Sequence, residues 1–262
     1  MRTISRKFFR LPALAALVAV VSLSGCATRP TDPDELAAYK ENNDPLEPMN
    51  RYFFEVNYAL DELLIKPIAS WYDTILPTPV EHSVHNFLRN LNGPVILAND
   101  LFQGNGKRAG ITAKRFLINT TLGAGGLFDV AADWFGLTYH DEDFGQTLAV
   151  WGVGEGPFVE LPLLGPSNAR DTVGTAVDMA LNPLTFVGGA PATYAGVATG
   201  SANVVDTRSQ HLHDLDELER NSLDYYATLR SVYRQHRDAE ISAAKQPAPE
   251  GQVDISFPNT RP

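Results

Sequence analysis

The amino-acid sequence predicts an all-α fold on three observations. Apolar residues recur at helical spacing in several segments, and no segment alternates for long in the manner of a hairpin strand. Several of the segments so marked are also apolar around most of their circumference, which belongs inside a large core or in lipid. None reaches the roughly 20 residues that a single bilayer span requires. Two architectures satisfy these facts. One is a tightly packed soluble domain. The other is a ring-like bundle of short, broadly apolar helices embedded in one side of a membrane, each helix hydrogen-bonding its own backbone.

Residues 1–25 carry the marks of a secretory signal. Arg2, Arg6, Lys7 and Arg10 make a positive n-region, and Leu11 to Leu23 a short apolar stretch. Leu23-Ser24-Gly25-Cys26 then has the form of a bacterial lipobox, whose small residues let a lipoprotein signal peptidase reach the bond before the cysteine. Cys26, the only cysteine in the chain, is expected to carry a covalent N-acyl diacylglycerol anchor. Each buried methylene contributes about 0.8 kcal/mol, so two or more acyl chains hold a protein firmly at a membrane. Ala27 follows the cysteine where Asp would favour inner-membrane retention, and so resembles an outer-membrane address.

Residues 26–43 are polar, acidic and proline-containing, which suits a flexible tether. Residues 44–245 have the length and apolar content of one helical domain. Residues 246–262 hold Pro247, Pro249, Gly251, Pro258 and Pro262 and read as a disordered tail. With Cys26 occupied by lipid, the domain has no disulfide and no cysteine metal ligand. Without the four basic residues of the n-region, 17 basic side chains face 31 acidic ones. That balance argues against nucleic acid as a partner and against electrostatic docking on anionic lipid heads.

Within the domain, Tyr52 to Ile65 holds ten apolar or aromatic residues among fourteen and predicts a first helix apolar nearly all round. Val80, Val84, Phe87, Leu88 and Leu91 predict an amphipathic helix that Gly93-Pro94 should stop. Pro94 to Phe102 and Leu122 to Phe135 are again broadly apolar. Val173, Val177 and Leu181 predict a helix capped by Ser167 and closed by Asn182-Pro183. Leu223, Tyr226, Leu229, Val232 and Tyr233 predict a last helix from Ser222 to about Ala243. Phe158 to Leu161 is the one strand-like stretch.

Enzymatic and metal readings find no support. There is no Gly-x-Ser-x-Gly elbow, and Gly106-Lys107 lacks the rest of a P-loop. Gly152, Gly154 and Gly156 follow no βαβ pattern. His82 with His85, and His211 with His213, lack the spacing and company of a zinc site, so no metal is expected. His140-Asp141-Glu142-Asp143 reads as an acidic exposed loop in preference to a hard-cation site.

The domain opens on Asp44-Pro45-Leu46-Glu47-Pro48-Met49-Asn50-Arg51, and long ordered motifs follow it. They include Arg115-Phe116-Leu117-Ile118-Asn119-Thr120-Thr121-Leu122-Gly123-Ala124-Gly125-Gly126-Leu127-Phe128-Asp129, then Asp143-Phe144-Gly145-Gln146-Thr147-Leu148, Trp151-Gly152-Val153-Gly154 and Leu161-Pro162-Leu163-Leu164-Gly165-Pro166-Ser167. Set behind a lipobox, these resemble the VacJ-like (MlaA) outer-membrane phospholipid-transport lipoproteins, closely from Asp44 to Pro183 and more loosely to Arg237. Met49, Ala149 and Glu155 depart from the family's usual residues. The resemblance implies a helical ring in the inner half of the outer membrane beside a porin trimer. It implies a channel that removes mislocalised phospholipid from the outer leaflet and hands it to a periplasmic carrier protein, which maintains lipid asymmetry without ATP. A structural porin-associated lipoprotein of the envelope is the alternative.

Such a route requires a collar in lipid, a polar path and a barrier to leakage. Tyr52, Phe53, Phe54, Trp71, Trp134 and Trp151 suit a collar, with core packing as the other reading of each. Asn50, Arg51 and Asn57, on or beside the apolar first helix, are candidates with Phe53 and Phe54 for handling phospholipid. Equally, Asn50 could cap the helix and Arg51 pair with Glu47 or Glu55. Arg115, Asn119 and Asp129 could fasten helices or line the channel. Gly152, Gly154 and Gly156 are candidate hinge positions for a gate, set between an acidic cluster and apolar Phe158 to Leu164.

Overall fold

A computed structural model of the chain describes residues 32, 42–187 and 189–246, without the side chains of 186–192. The signal peptide, Cys26, most of the tether and the tail from Pro247 lie outside the described residues.

Pro48 sits in the first turn of α1 (Glu47–Leu60), where its missing N–H costs nothing. The helix passes through a π turn (Asp61–Ile65) into α2 (Lys66–Ile75), with the Lys66 N–H donating to the Asp61 carbonyl five residues back. That extra residue lets the helical path continue past Pro67, which has no N–H to donate. Next comes α3 (Thr78–Phe102), which runs straight through the Gly93-Pro94 pair that should have stopped it. Its packing along α4 (Gly106–Thr121) outweighs the local break.

Leu122 to Phe135 is not one helix. Positive φ at Ala124, Gly125 and Gly126 turns the chain, and only α5 (Val130–Phe135) is helical there. After α6 (Phe144–Val150) comes an antiparallel hairpin, β1 (Phe158–Leu161) with β2 (Gly165–Asn168). The cap of α7 (Ala169–Leu181) is Asn168, which accepts from the Asp171 N–H; the Ser167 hydroxyl instead meets the Asn168 carbonyl and Thr172. The chain ends through α8 (Leu184–Val187), α9 (Gly189–Gln210), α10 (Leu212–Asn221) and α11 (Tyr225–Ala244), whose cap is Asp224.

Packing closes these elements on themselves. α1 leads through the π turn to α2, α2 packs on α9, α9 on α3, and α3 on α6 and α7. α7 then packs on the hairpin, and β1 returns to α1, so the elements form a ring. α11 braces it from α6 and β2. The ends of the described domain are tied together: Asp44, 2% exposed, accepts from Asn50 Nδ2 at 2.7 Å, Arg230 Nη1 at 2.7 Å and the Tyr226 hydroxyl.

The interior is unusual. Among the described residues thirteen hydrophobic side chains are buried, five of them Ala, against twenty-two polar or charged ones. Twenty-seven large hydrophobics are exposed. The largest apolar cluster is aromatic, with Phe54, Phe158 and Tyr226 meeting edge to face at 5.4–6.1 Å. Elsewhere the buried stripes are polar. On α4 it consists of Arg108, Thr112, Arg115 and Asn119 at i, i+4, i+7 and i+11. Such an interior holds only because its members bond one another.

Candidate functional site

A cleft of about 470 Å³ opens within the ring. α7 and its C-cap contribute the largest share of the wall, with Asp171, Thr175, Asp178 and the cap Asn182 at i, i+4, i+7 and i+11, and Met179 beside them. Asn92 and Val95 enter from α3, Asn203 from α9, Tyr233 and Arg237 from α11, and Asp143 from the cap of α6.

The polar wall is anchored by Arg237. Its guanidinium donates twice to Asp171 (2.9 and 3.1 Å), twice to Asp143 (2.6 and 2.7 Å) and once to Glu240 (3.0 Å). Tyr233 adds a hydroxyl donor to Asp171 at 2.8 Å. Burial pushes both carboxyls up, yet Arg237 on Asp143, and Arg170 with Arg237 on Asp171, hold them below the usual carboxylate range. Asp178 behaves differently. Burial raises it, and its two oxygens accept only from neutral donors, Asn99 Nδ2 and the Phe144 N–H, both at 2.9 Å.

Two glycines make this anchor possible. At the crossing of α6 and α7, a Cβ on Gly174 would lie 2.4 Å from the Gly145 nitrogen. One on Gly145 would meet Asp171 Oδ1 at 2.5 Å and Arg237 Nη2 at 2.6 Å. At Gly174 the clash is with backbone and only glycine fits, whereas a side chain at Gly145 would push Asp171 and Arg237 out of their contact.

The residues singled out in the first helix lie elsewhere. Asn50, fully buried, does not cap α1: it donates to Asp44 and the Phe158 carbonyl and accepts from the Glu160 N–H. Asn57 likewise clasps the hairpin, donating to Glu160 Oε1 and the Leu161 carbonyl and accepting from the Leu163 N–H. Arg51 pairs with Glu47 (2.8 Å) and Asp224 (2.6 Å) over the Tyr226 ring. Phe54 is buried in the aromatic cluster, while Phe53 is half-buried against exposed Tyr52. None of these five lines the cleft. Arg115 and Asn119 both bond Asp129, the cap of α5, and so fasten α4 to α5.

The acidic run at 140–143 is not an exposed loop. Asp141 alone faces solvent; His140 reaches Asp100 at 2.9 Å, Glu142 pairs with Arg108, and Asp143 joins Arg237. Glu160, 2% exposed, keeps Oε2 buried without a partner among the described residues. Burial, opposed by Asn57 and aided by the Asp44 charge, pushes it up to about 7.

Of the six collar aromatics, Phe54 is buried and Phe53 half-buried, while Tyr52, Trp71, Trp134 and Trp151 are exposed. Leu63 at 82%, Leu64, Ile75, Leu117 and Phe128 are exposed with them. Val173, one of the apolar positions that predicted α7, is 55% exposed, while its polar neighbours face the cleft. Among the described residues no helix is long and apolar enough to cross a membrane.

The glycine loop is fastened at both ends, with the Gly152 and Val153 N–H groups bonding back to α6, and open around Gly154 between them. Gly152 (φ +90°) and Gly156 (φ +68°) require the left-handed region, and nothing lies within 4 Å of a Cβ built on Gly152 or Gly154. From Glu155 onward the loop is held: Glu155 pairs with Arg234 at 2.9 Å, and its carbonyl and that of Pro157 accept from the start of α7.

The cleft was missed in the sequence because only the apolar positions of α7 were followed. The signal was there in Asp171, Thr175, Asp178 and Asn182, a polar stripe at helical spacing.

Comparison with known proteins places this arrangement among relatives. A family model described as MlaA lipoprotein matches residues 42–240. The chain is 32% identical over 236 residues to the intermembrane phospholipid transport system lipoprotein MlaA of Haemophilus influenzae, covering 88% of this chain and 91% of that one. To the protein of that description from Escherichia coli strain K12 it is 34% identical over 233 residues, 87% of each. A solved structure reported as the structural basis for maintenance of bacterial outer membrane lipid asymmetry is similar at a TM-score of 0.66 and 35% identity, over 76% of this chain and 98% of that one.

Proposed function

We propose, from the premise that the chain belongs to the MlaA lipoprotein family, that it moves phospholipid between membranes of the envelope. In this reading it is held at the outer membrane by the acylated Cys26 and sits in the inner half of the bilayer beside a porin trimer. Its cleft takes mislocalised outer-leaflet phospholipid toward a periplasmic carrier, which maintains lipid asymmetry. No covalent step is involved.

The observation that carries the reading is the inversion of the molecule: hydrocarbon outside, bonded polar groups inside, and a polar cleft within a ring. Exposed apolar area on that scale has no place in water. In a bilayer it becomes a solvated surface, and Trp and Tyr at its rim suit the interface. A phospholipid has both kinds of surface too, so a ring that is apolar without and polar within offers its head group a path while the tails stay in lipid.

The test is phospholipid exposed at the cell surface, read with an impermeant amine-reactive probe. Deletion of the gene should raise the signal, and the wild-type gene should lower it again while a Cys26→Ala form does not. An unchanged signal, with porin assembly or envelope stiffness altered instead, would replace transport by a structural role.

A further inference from the structure

The charge in the cleft is unevenly matched. Three carboxylates, Asp143, Asp171 and Asp178, face it with one guanidinium, Arg237. That guanidinium has five N–H groups, and all five are committed to Asp143, Asp171 and Glu240. The lining therefore keeps no cationic donor for an incoming phosphate. What remains for one are neutral amides: Asn92 on α3, Asn203 on α9, and Asn182 at the end of α7, whose Oδ1 accepts from the Leu184 N–H and whose Nδ2 has no hydrogen-bond partner among the described residues.

Asp178 is the carboxylate of this lining that forms no ion pair among the described residues, its bonds coming from Asn99 and the Phe144 amide. Each oxygen retains a lone pair. A carboxylate in that position repels a second anion and attracts an ammonium, and partial burial strengthens both effects.

We propose that the cleft selects phospholipids whose head group carries an ammonium, with Asp178 receiving the ammonium and Asn92, Asn182 and Asn203 the phosphodiester. A zwitterionic head group divides its charge as the wall does. A head group with net negative charge meets carboxylates and finds no free cation to offset them. The selectivity rests on the transport reading above and deepens it.

The test uses the full-length acylated protein in nanodiscs containing equal amounts of phosphatidylethanolamine and phosphatidylglycerol, both photoactivatable. After irradiation, mass spectrometry counts only the lipid joined to residues that line the cleft. Wild type should capture phosphatidylethanolamine roughly fivefold over phosphatidylglycerol, the scale of one partly screened charge interaction. Asp178→Asn should bring the ratio near one. Because that substitution also turns an amide toward Asn99 or Phe144, Asn203→Arg on the exposed face of α9 supplies a second arm, and it should move the ratio toward phosphatidylglycerol. Equal capture by wild type, or a ratio unmoved by Asn203→Arg, overturns the selectivity and leaves transport standing. If the folded protein captures neither lipid in the cleft, the transport reading fails and this inference with it.

Discussion

Where α6, α7 and α11 meet, the chain buries charge; along the π turn, α2 and the turn after α4 it exposes hydrocarbon. At the first, Arg237, Asp143 and Asp171 satisfy one another within hydrogen-bond distance, and two glycines let the backbones approach closely enough for that. At the second, Leu63, Trp71, Ile75, Leu122 and Phe128 touch little protein. The contrast teaches that stability and surroundings are handled by different residues in this fold. Polar side chains tie the ring together, and apolar ones fit it to the medium around it. Perturbing the first should therefore unfold the protein, and perturbing the second should displace it.

The largest effect is expected from Arg237→Ala. It takes the cation from half-buried Asp143 and leaves buried Asp171 with Arg170 alone, and should lower unfolding free energy by about 3 kcal/mol in detergent denaturation, the low end for a broken buried pair. A loss under 1 kcal/mol would mean that solvent already compensates these carboxylates. Glu160 comes next, and its sign is opposite. Its folded-state value near 7 stands above the ordinary 4.5, so its stabilising protonated form is fully present below pH 4.5 and is lost as pH rises through 7. Glu160→Gln should thus be up to about 3 kcal/mol more stable than wild type at pH 8 and nearly equal to it at pH 4.5. Equal stability at both values would show that Glu160 is solvated.

At the periphery the free-energy effects shrink and the functional ones grow. Leu63→Asp should change unfolding by no more than about 0.5 kcal/mol in detergent, yet raise surface-exposed phospholipid in cells. Quenching of Trp71 and Trp134 by brominated lipid should show the same rim in hydrocarbon, and an unquenched rim would break the contrast. The smallest stability effect belongs to Gly154→Pro. Abundance should hold while lipid flux changes, because nothing packs against that position. Equal loss of abundance and flux would assign the loop to folding alone.

Much of the fold was legible in the sequence. Helical spacing located α1, α7 and α11 to within a few residues, and the strand-like run at Phe158 became β1. What apolar spacing did not report is which way a stripe faces. On α7 it gave the right period, while Val173 points outward and Asp178 lines the cleft. The wide apolar girth of the first helix was the clue that apolar faces here need not turn inward. The site was harder to read because its bonds join distant residues. Asp171 meets Arg237 66 positions later, and Arg51 meets Asp224 173 positions later. No local spacing reports such pairs. Asn50 and Asn57 looked like a polar path because an amide beside a greasy helix has few partners in the sequence; the hairpin that supplies them lies more than 100 residues on.

Asp44 has a mechanical consequence. Any pull on the chain ahead of the domain arrives first at Asn43, bonded to Glu155, Gly156 and Phe158, and then at a buried carboxylate clamped by Asn50, Tyr226 and Arg230, not at the first turn of a fraying helix. Three bonds to two separate helices share the load in parallel and must rupture nearly together. A pull from the N-terminal side would therefore be divided between the glycine loop, the start of β1 and these two helices, instead of unwinding α1 from its first turn.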